Sequence, residues 1–401
     1  MSVPKLAYLT GTYPKASHTF IQREIASLRK EGAEVVTLAM RRPGKADLIG
    51  PEEIAAEAET FYVVEALKKP VTVLKAHFGL LTKAPARWFK TLMLAARTGR
   101  PGLKGGFKQF AYFLEAGIIA KDLAAKGVGH IHNHFADSSA NVAMLSAELM
   151  DIPFSFTLHG PAELFEPESW HLGEKIARAA FTVCISDFAR AQAMLFSDPS
   201  HWGRLKIIHC GVDPARYDVP PPEVKEGLDL LFVGRLIQIK GLRVLFEALE
   251  TVRASHSNVT LTLVGDGDDR AHAEAEAKRL GGITLLGFQS QDEDAAALAA
   301  ADALVLPSFA EGVPVVLMEA MASARPVICT QVAGVSELVE NGVSGFIVPP
   351  GNADRLARAI IDLADAPNRD QMGVTGRARV VAAFNSDTEA TKLLGYFQGD
   401  L

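Results

Sequence analysis

Short apolar segments of strand length recur along this chain, separated by stretches with helical spacing, and they fall into two series. That alternation constrains the fold more than any other feature, because parallel strands need a crossover segment between each pair. The first series opens with a strand at residues 5–10 and a loop at 11–17. A helix is expected from about Thr19, with Phe20, Ile21, Ile25 and Leu28 at helical spacing. Gly32 ends it, and a second strand is expected at 34–39. Further strands are expected at 130–131, 154–157, 181–185 and 206–209. The proline-rich stretch 219–223 reads as a linker. Beyond it come strands at 228–233, 260–264, 283–286, 303–306, 326–329 and 345–348, with a helix at 242–253. The pattern predicts two doubly wound α/β domains, 1–215 and 225–384, with a last helix at about 385–401 packing back on the first. The carboxyl ends of the two sets of strands are expected to face across a cleft.

A length of 401 residues is too great for one ordinary core, and 48% hydrophobic with 22% charged residues is a globular composition. Cys184, Cys210 and Cys329 are far apart and share no metal spacing, which favours a reducing cytosol over a disulfide framework. No signal peptide is expected, and no window reaches the roughly 18 uncharged apolar residues of a spanning helix. The net charge of −6 is unevenly spread: residues 66–110 carry ten Lys or Arg and no acid, leaving 31 basic and 47 acidic residues elsewhere.

The strongest chemical signal lies at 307–320, PSFAEGVPVVLMEA. A strand ends at Leu306, a loop carries Glu311 and Gly312, and Pro314 suits the first turn of a helix. The amides of Val315, Val316 and Leu317 then form a cradle for a diphosphate at the positive end of that helix. Gly312 permits close approach of an anion, Glu319 suits a ribose diol, and Glu311 is within reach of a transferred sugar. The bland alternative is an ordinary helix start with two surface glutamates. A second signal is Gly234-Arg235 followed by Lys240, two cations suited to a diphosphate leaving group. A third is His159-Gly160 after a strand, and a fourth the partial glycine pattern at Gly265 and Gly267. Each of these taken alone is weak.

Together these segments resemble the retaining family 4 glycosyltransferases, which share the GT-B fold of two Rossmann-like domains. VGRLIQIKGL (233–242), PSFAEGVPVVLMEAMASARPVI (307–328), VAGVSELVENGVSGFIVPPGN (332–352) and HCGVD (209–213) carry the resemblance. It implies that Arg235 and Lys240 bind the diphosphate, with Gly234, Gly265 and the backbone of Gly312, Val313, Pro314 and Val315 around the donor. It implies Glu311 at the donor sugar, Glu319 at the ribose and His159 at the reacting face. The stretch 13–21, YPKASHTFI, is similar to the pattern of bacterial exopolysaccharide and colanic-acid-type transferases, with His18 where Glu is usual. Ala324 stands where Gly is common, which is expected to be a packing change. The implied activity is transfer from a UDP- or GDP-linked sugar, with retention and without a cofactor, to a saccharide or lipid-linked saccharide. A nucleotide-sugar epimerase of the same fold is the alternative.

His130, His132 and His134 lie alternately on one strand, so their rings converge, yet no metal is expected there. The basic stretch also holds Phe78, Trp88, Phe89 and Phe107. It reads either as a solvated face or as a surface docking on an anionic membrane, which would place a cytoplasmic enzyme peripherally on the inner face. No nucleic-acid motif accompanies the charge.

Overall fold

A computed structural model describes residues 3–48, 50–99, 103–224 and 226–399. Arg100 of the basic stretch and Lys225, where the second domain was expected to begin, lie outside the described residues, as do the extreme termini. The chain divides into two units, one of residues 1–208 with 390–401 and one of 209–389.

The first unit is built on a parallel sheet of seven strands: β1 Leu6–Thr12, β2 Val35–Arg41, β3 Phe61–Tyr62, β4 His130–His134, β5 Phe154–Leu158, β6 Phe181–Cys184 and β7 Leu205–Ile207. Its order is β3-β2-β1-β4-β5-β6-β7. The chain therefore moves outward from β1 in one direction and then restarts at β4 beside β1. Such a reversal opens a crevice beyond the strand ends. β3 has no counterpart in the sequence reading, because two residues carry no period. The central strands are buried on both faces, and Leu6, Ala7, Ile131 and Phe156 are fully buried; β4 and β5 carry polar residues there as well, His130, His132, His134, Ser155 and Thr157 among them. Ala390, Leu393, Leu394 and Phe397, from the helix Ser386–Gln398, join the same core as Leu6, Ile21 and Phe181.

The second unit holds six parallel strands: β8 Leu228–Val233, β9 Val259–Val264, β10 Ile283–Gly287, β11 Ala303–Leu306, β12 Val327–Thr330 and β13 Gly345–Val348. The order β10-β9-β8-β11-β12-β13 places its reversal between β8 and β11. The division between units falls at 208/209 rather than within 215–225. Val212 bridges to Asn385, Arg377 donates to the carbonyl of Tyr217, and Arg325 donates to the carbonyl of Pro220. The stretch read as a linker is thereby fastened to the second unit, and a sequence pattern does not reveal such side-chain anchors.

Candidate active site

In the second unit the expected donor residues gather at the reversal point. After β8 the chain runs through Gly234 and exposed Arg235 to Lys240 and Gly241. Gly241 has φ +71°, and a Cβ there would lie 2.1 Å from the carbonyl oxygen of Pro307. Only glycine allows the loop after β8 to approach the loop after β11 this closely. Phe309 N–H donates to the carbonyl of Ile239 at 2.8 Å and fixes that approach. Its result is an ion pair between Lys240 Nζ and Glu311 Oε1 at 2.6 Å, with both side chains largely enclosed. The motifs around Lys240 and Glu311 thus form one site, although 71 residues separate the two.

Pro314 is the cap of the next helix rather than its first residue; the helix is Val315–Ala322. Leu317 N–H already donates to the carbonyl of Pro314, so the expected set of three amides shrinks to Val315 and Val316. Gly312 accepts a hydrogen bond from Gly334 N–H at 3.2 Å, and Val313 is buried. Glu319 lies one turn into the helix, half-buried. Burial first, and then the charge of Glu319, push the Asp294 carboxyl up to about 7. Asp294 was absent from the sequence reading, since nothing local marks a residue that meets Glu319 only through helix packing.

Gly265 and Gly267 have a structural explanation. A Cβ on Gly265 would sit 2.0 Å from the carbonyl oxygen of Gly234, and one on Gly267 2.4 Å from that of Leu236. Leu236 N–H also donates to the carbonyl of Asp266. The loops after β8 and β9 are thus packed backbone to backbone, which shapes the turn that carries Arg235. Ala324 has φ +53°, in the left-handed region that favours glycine. The departure noted there is a matter of backbone conformation and not of packing alone.

His159 belongs to the first unit, just beyond β5, and is almost fully buried. Its ring lies between Phe20 and Phe135, with centroids at 4.8 and 4.6 Å. Burial holds it well below the usual imidazole range, so the ring is neutral. Its backbone is held by Glu163, whose carboxylate accepts from the N–H groups of Ala136, His159 and Gly160. Burial pushes Glu163 up to about 7 and Lys175 down to about 7. Lys175 in turn donates to the carbonyls of Ala136 and Asp137. This clamp around the ends of β4 and β5 was not anticipated, because its partners come from three separate segments.

The three strand histidines turn to one face as expected; His130 and His132 meet hydroxyls, while His134 meets His159 and Glu24. His130 Nε2 and His132 Nδ1 both meet Ser155 Oγ, at 2.7 and 2.8 Å, and His132 Nε2 meets Thr157 Oγ1 at 2.9 Å. Among the described residues one grouping has ligand atoms close enough for a metal, namely Glu24, His132 and His134, within 4.8 Å of one another. Both ring nitrogens of His132 and of His134 already have protein partners, which a metal would have to displace.

Two family models match the chain: glycosyltransferase family 4 over residues 18–216, and glycosyl transferases group 1 over residues 227–366. The chain is 32% identical to the amylovoran biosynthesis glycosyltransferase AmsK of Erwinia amylovora, over 95% of this chain and 96% of that one. It is 33% identical to a putative colanic acid biosynthesis glycosyltransferase, WcaL of Salmonella typhimurium, over 51% of this chain and 55% of that one. Among solved structures it resembles Anabaena HepE, crystallised with UDP and glucose, at a TM-score of 0.73 and 17% identity. That match covers 98% of this chain and 99% of the other. The shared architecture is the GT-B fold of two Rossmann-like domains.

Proposed function

Because the chain belongs to the family 4 glycosyltransferases, we propose that it transfers a sugar, with retention, from a nucleoside-diphosphate donor to a saccharide or lipid-linked saccharide. The product is then part of an exopolysaccharide or another cell-surface polysaccharide, as the relatives named for amylovoran and colanic acid suggest. The observation that carries this reading is the Lys240–Glu311 pair at the sheet reversal of the second unit, beside a helix start. A cation and a carboxylate held together there suit opposite ends of one donor: Lys240 with Arg235 at the diphosphate, Glu311 at the sugar. As the bond from the anomeric carbon to the diphosphate oxygen breaks, the two cations and the amides of Val315 and Val316 stabilise the departing charge. The acceptor oxygen bonds to the same face of the sugar, and its proton passes to the leaving phosphate.

The test is a panel of nucleotide sugars, each scored for thermal stabilisation of the chain and for slow hydrolysis. One base and sugar should raise the melting temperature and release nucleoside diphosphate and free sugar; no response across the panel would end the proposal. Turnover is expected to persist in EDTA, because two side-chain cations do the work of a divalent ion. Loss on chelation, restored by Mg²⁺ or Mn²⁺, would contradict this and bring forward Glu24, His132 and His134.

A lipid-linked acceptor calls for contact with a membrane surface, and the basic stretch is suited to it. The helices Pro70–Lys83, Pro85–Arg97 and Leu103–Ala125 pack on one another and leave apolar faces outward. Val71, Leu74 and Phe78 share one face of the first, Phe89 and Met93 lie a turn apart on the second, and Phe107 and Phe110 begin the third. Phe78 and Phe107 are 70% and 77% exposed. Seven of the cations on these helices differ in their surroundings. Arg87, Lys90 and Arg97 are paired with Asp151, Glu148 and Glu174, whereas Lys75, Lys83, Lys104 and Lys108 are exposed beside the aromatics. The occupant that fits exposed lysines and aromatics together is an anionic bilayer. Binding to phosphatidylglycerol vesicles is expected at 0.1 M salt, where the Debye length is about 10 Å, and should weaken at 1 M, where it is about 3 Å. Changing these four lysines to Gln should weaken it by about 10²- to 10³-fold, each contributing about 1 kcal/mol. If the native chain ignores anionic vesicles at low salt, the face is a solvated one.

A further inference from the structure

We infer that Glu24 and His134 are positioning residues that fix which nitrogen of His159 carries its proton. The inference rests on the reading that His159 works at the transferred sugar. Glu24 lies on the helix Thr19–Lys30 that follows β1, His134 ends β4, and His159 follows β5. β1 and β4 are the pair at which the sheet of the first unit reverses, so the three residues meet where its crevice opens.

The chain of contacts is continuous. Tyr8 Oη donates to Glu24 Oε1 at 2.7 Å, and His134 Nε2 lies 3.2 Å from the same oxygen. His134 Nδ1 lies 3.0 Å from His159 Nε2. A carboxylate only accepts, and a neutral imidazole has one donor and one acceptor nitrogen. His134 therefore spends its single N–H, on Nε2, toward Glu24. Its Nδ1 is left as a lone pair, which accepts from His159 Nε2–H. His159 is thereby locked as the Nε2–H tautomer, and its Nδ1 becomes the acceptor of the ring.

The surroundings favour neutral rings at His132 and His159. His134 is fully buried, with the rings of His132 and His159 each 5.2 Å away, and burial holds both of those neutral. The other titratable groups facing this cluster are Tyr8, Glu24, Glu163 and His18, whose ring lies tilted against Phe135. A second proton on His132 or His159 would meet the neighbouring rings at short range in a poorly solvated site. Backbone bonds from Glu163 hold His159 in place from the other side. In this tautomer Nδ1 is the ring's acceptor and Nε2 its single donor. That distinction decides which substrate groups it orients and whether it opposes positive charge developing at the anomeric carbon.

The experiment is long-range proton–nitrogen NMR of the full chain labelled at histidine nitrogen. His159 is assigned by the signal missing from His159→Gln. The native chain should show His159 as the Nε2–H tautomer; an Nδ1–H tautomer or an imidazolium would overturn the inference without need of any further variant. In Glu24→Ala the His159 signal should move toward the other tautomer, kcat should fall about 10- to 100-fold, and the donor KM should change less than about 2-fold. Glu24 keeps some exposure, so added formate should reach the space left and restore both tautomer and turnover. An unchanged tautomer in Glu24→Ala would also overturn the inference. A changed tautomer with unchanged turnover would uphold the positioning by Glu24 and His134 and remove His159 from the reaction, so the two readings fail separately.

Discussion

Glu311→Gln is expected to lower transfer by about 10³-fold or more while leaving the fold intact. Glu311 lies on a loop between β11 and the helix Val315–Ala322, held against Lys240 at 2.6 Å with little solvent access. Glutamine preserves the shape and one acceptor oxygen but removes the charge. It therefore weakens opposition to positive charge at the anomeric carbon and leaves Lys240 without its counter-ion. Neither group is fully buried, so the loss of stability should be far below the 3–5 kcal/mol typical of breaking a buried pair. Turnover with matched circular dichroism checks this. Activity within a few-fold of native would remove Glu311 from the reaction. Glu319→Ala should behave differently, weakening donor binding with a smaller change in kcat, because a ribose contact is the same in ground and transition states.

The second large effect is one of backbone. Gly265→Ala should destabilise the second unit by about 3 kcal/mol or more, lowering its melting temperature on the order of 10 °C. The added Cβ would lie 2.0 Å from the Gly234 carbonyl oxygen, and φ at this position is +126°. Neither atom is free to retreat. Gly234 N–H donates to the carbonyl of Val264, and Gly265 N–H to that of Gly287. The loop carrying Arg235 must shift, so donor affinity should fall together with stability. Gly281→Ala provides the contrast, since Gly281 also has positive φ (+68°) but would place its Cβ in open space. It should cost only about 1 kcal/mol. Equal effects of the two substitutions would show that close approach of the loops is not the constraint.

Much of this molecule was legible in its sequence. Period and length separated strands from helices, because a strand covered by helices on both faces must be a short continuous apolar run. Linear order, with Gly234 and Pro314 as punctuation, located the loops that carry Lys240 and Glu311. The resemblance around residues 233–242 and 307–328 supplied the family, which the comparisons bear out. What the sequence left open depended on atoms brought together from distant segments. Strand order decided that the loop after β8 faces the loop after β11, and so that Lys240 meets Glu311. The Glu24–His134–His159 chain spans three crossovers, and no local spacing signals it. Alternation brings the histidines of β4 to one face, but their partners come from other segments: Ser155 and Thr157 on the neighbouring strand for His130 and His132, and Glu24 and His159 for His134. In the basic stretch, composition gave the charge, but only packing separated Arg87, Lys90 and Arg97, which are tied to acids, from the lysines left outside. Periodicity is a property of one segment, and so it survives in the sequence. Register, close approach and proton direction are properties of pairs of segments, and they come into being only when the chain folds.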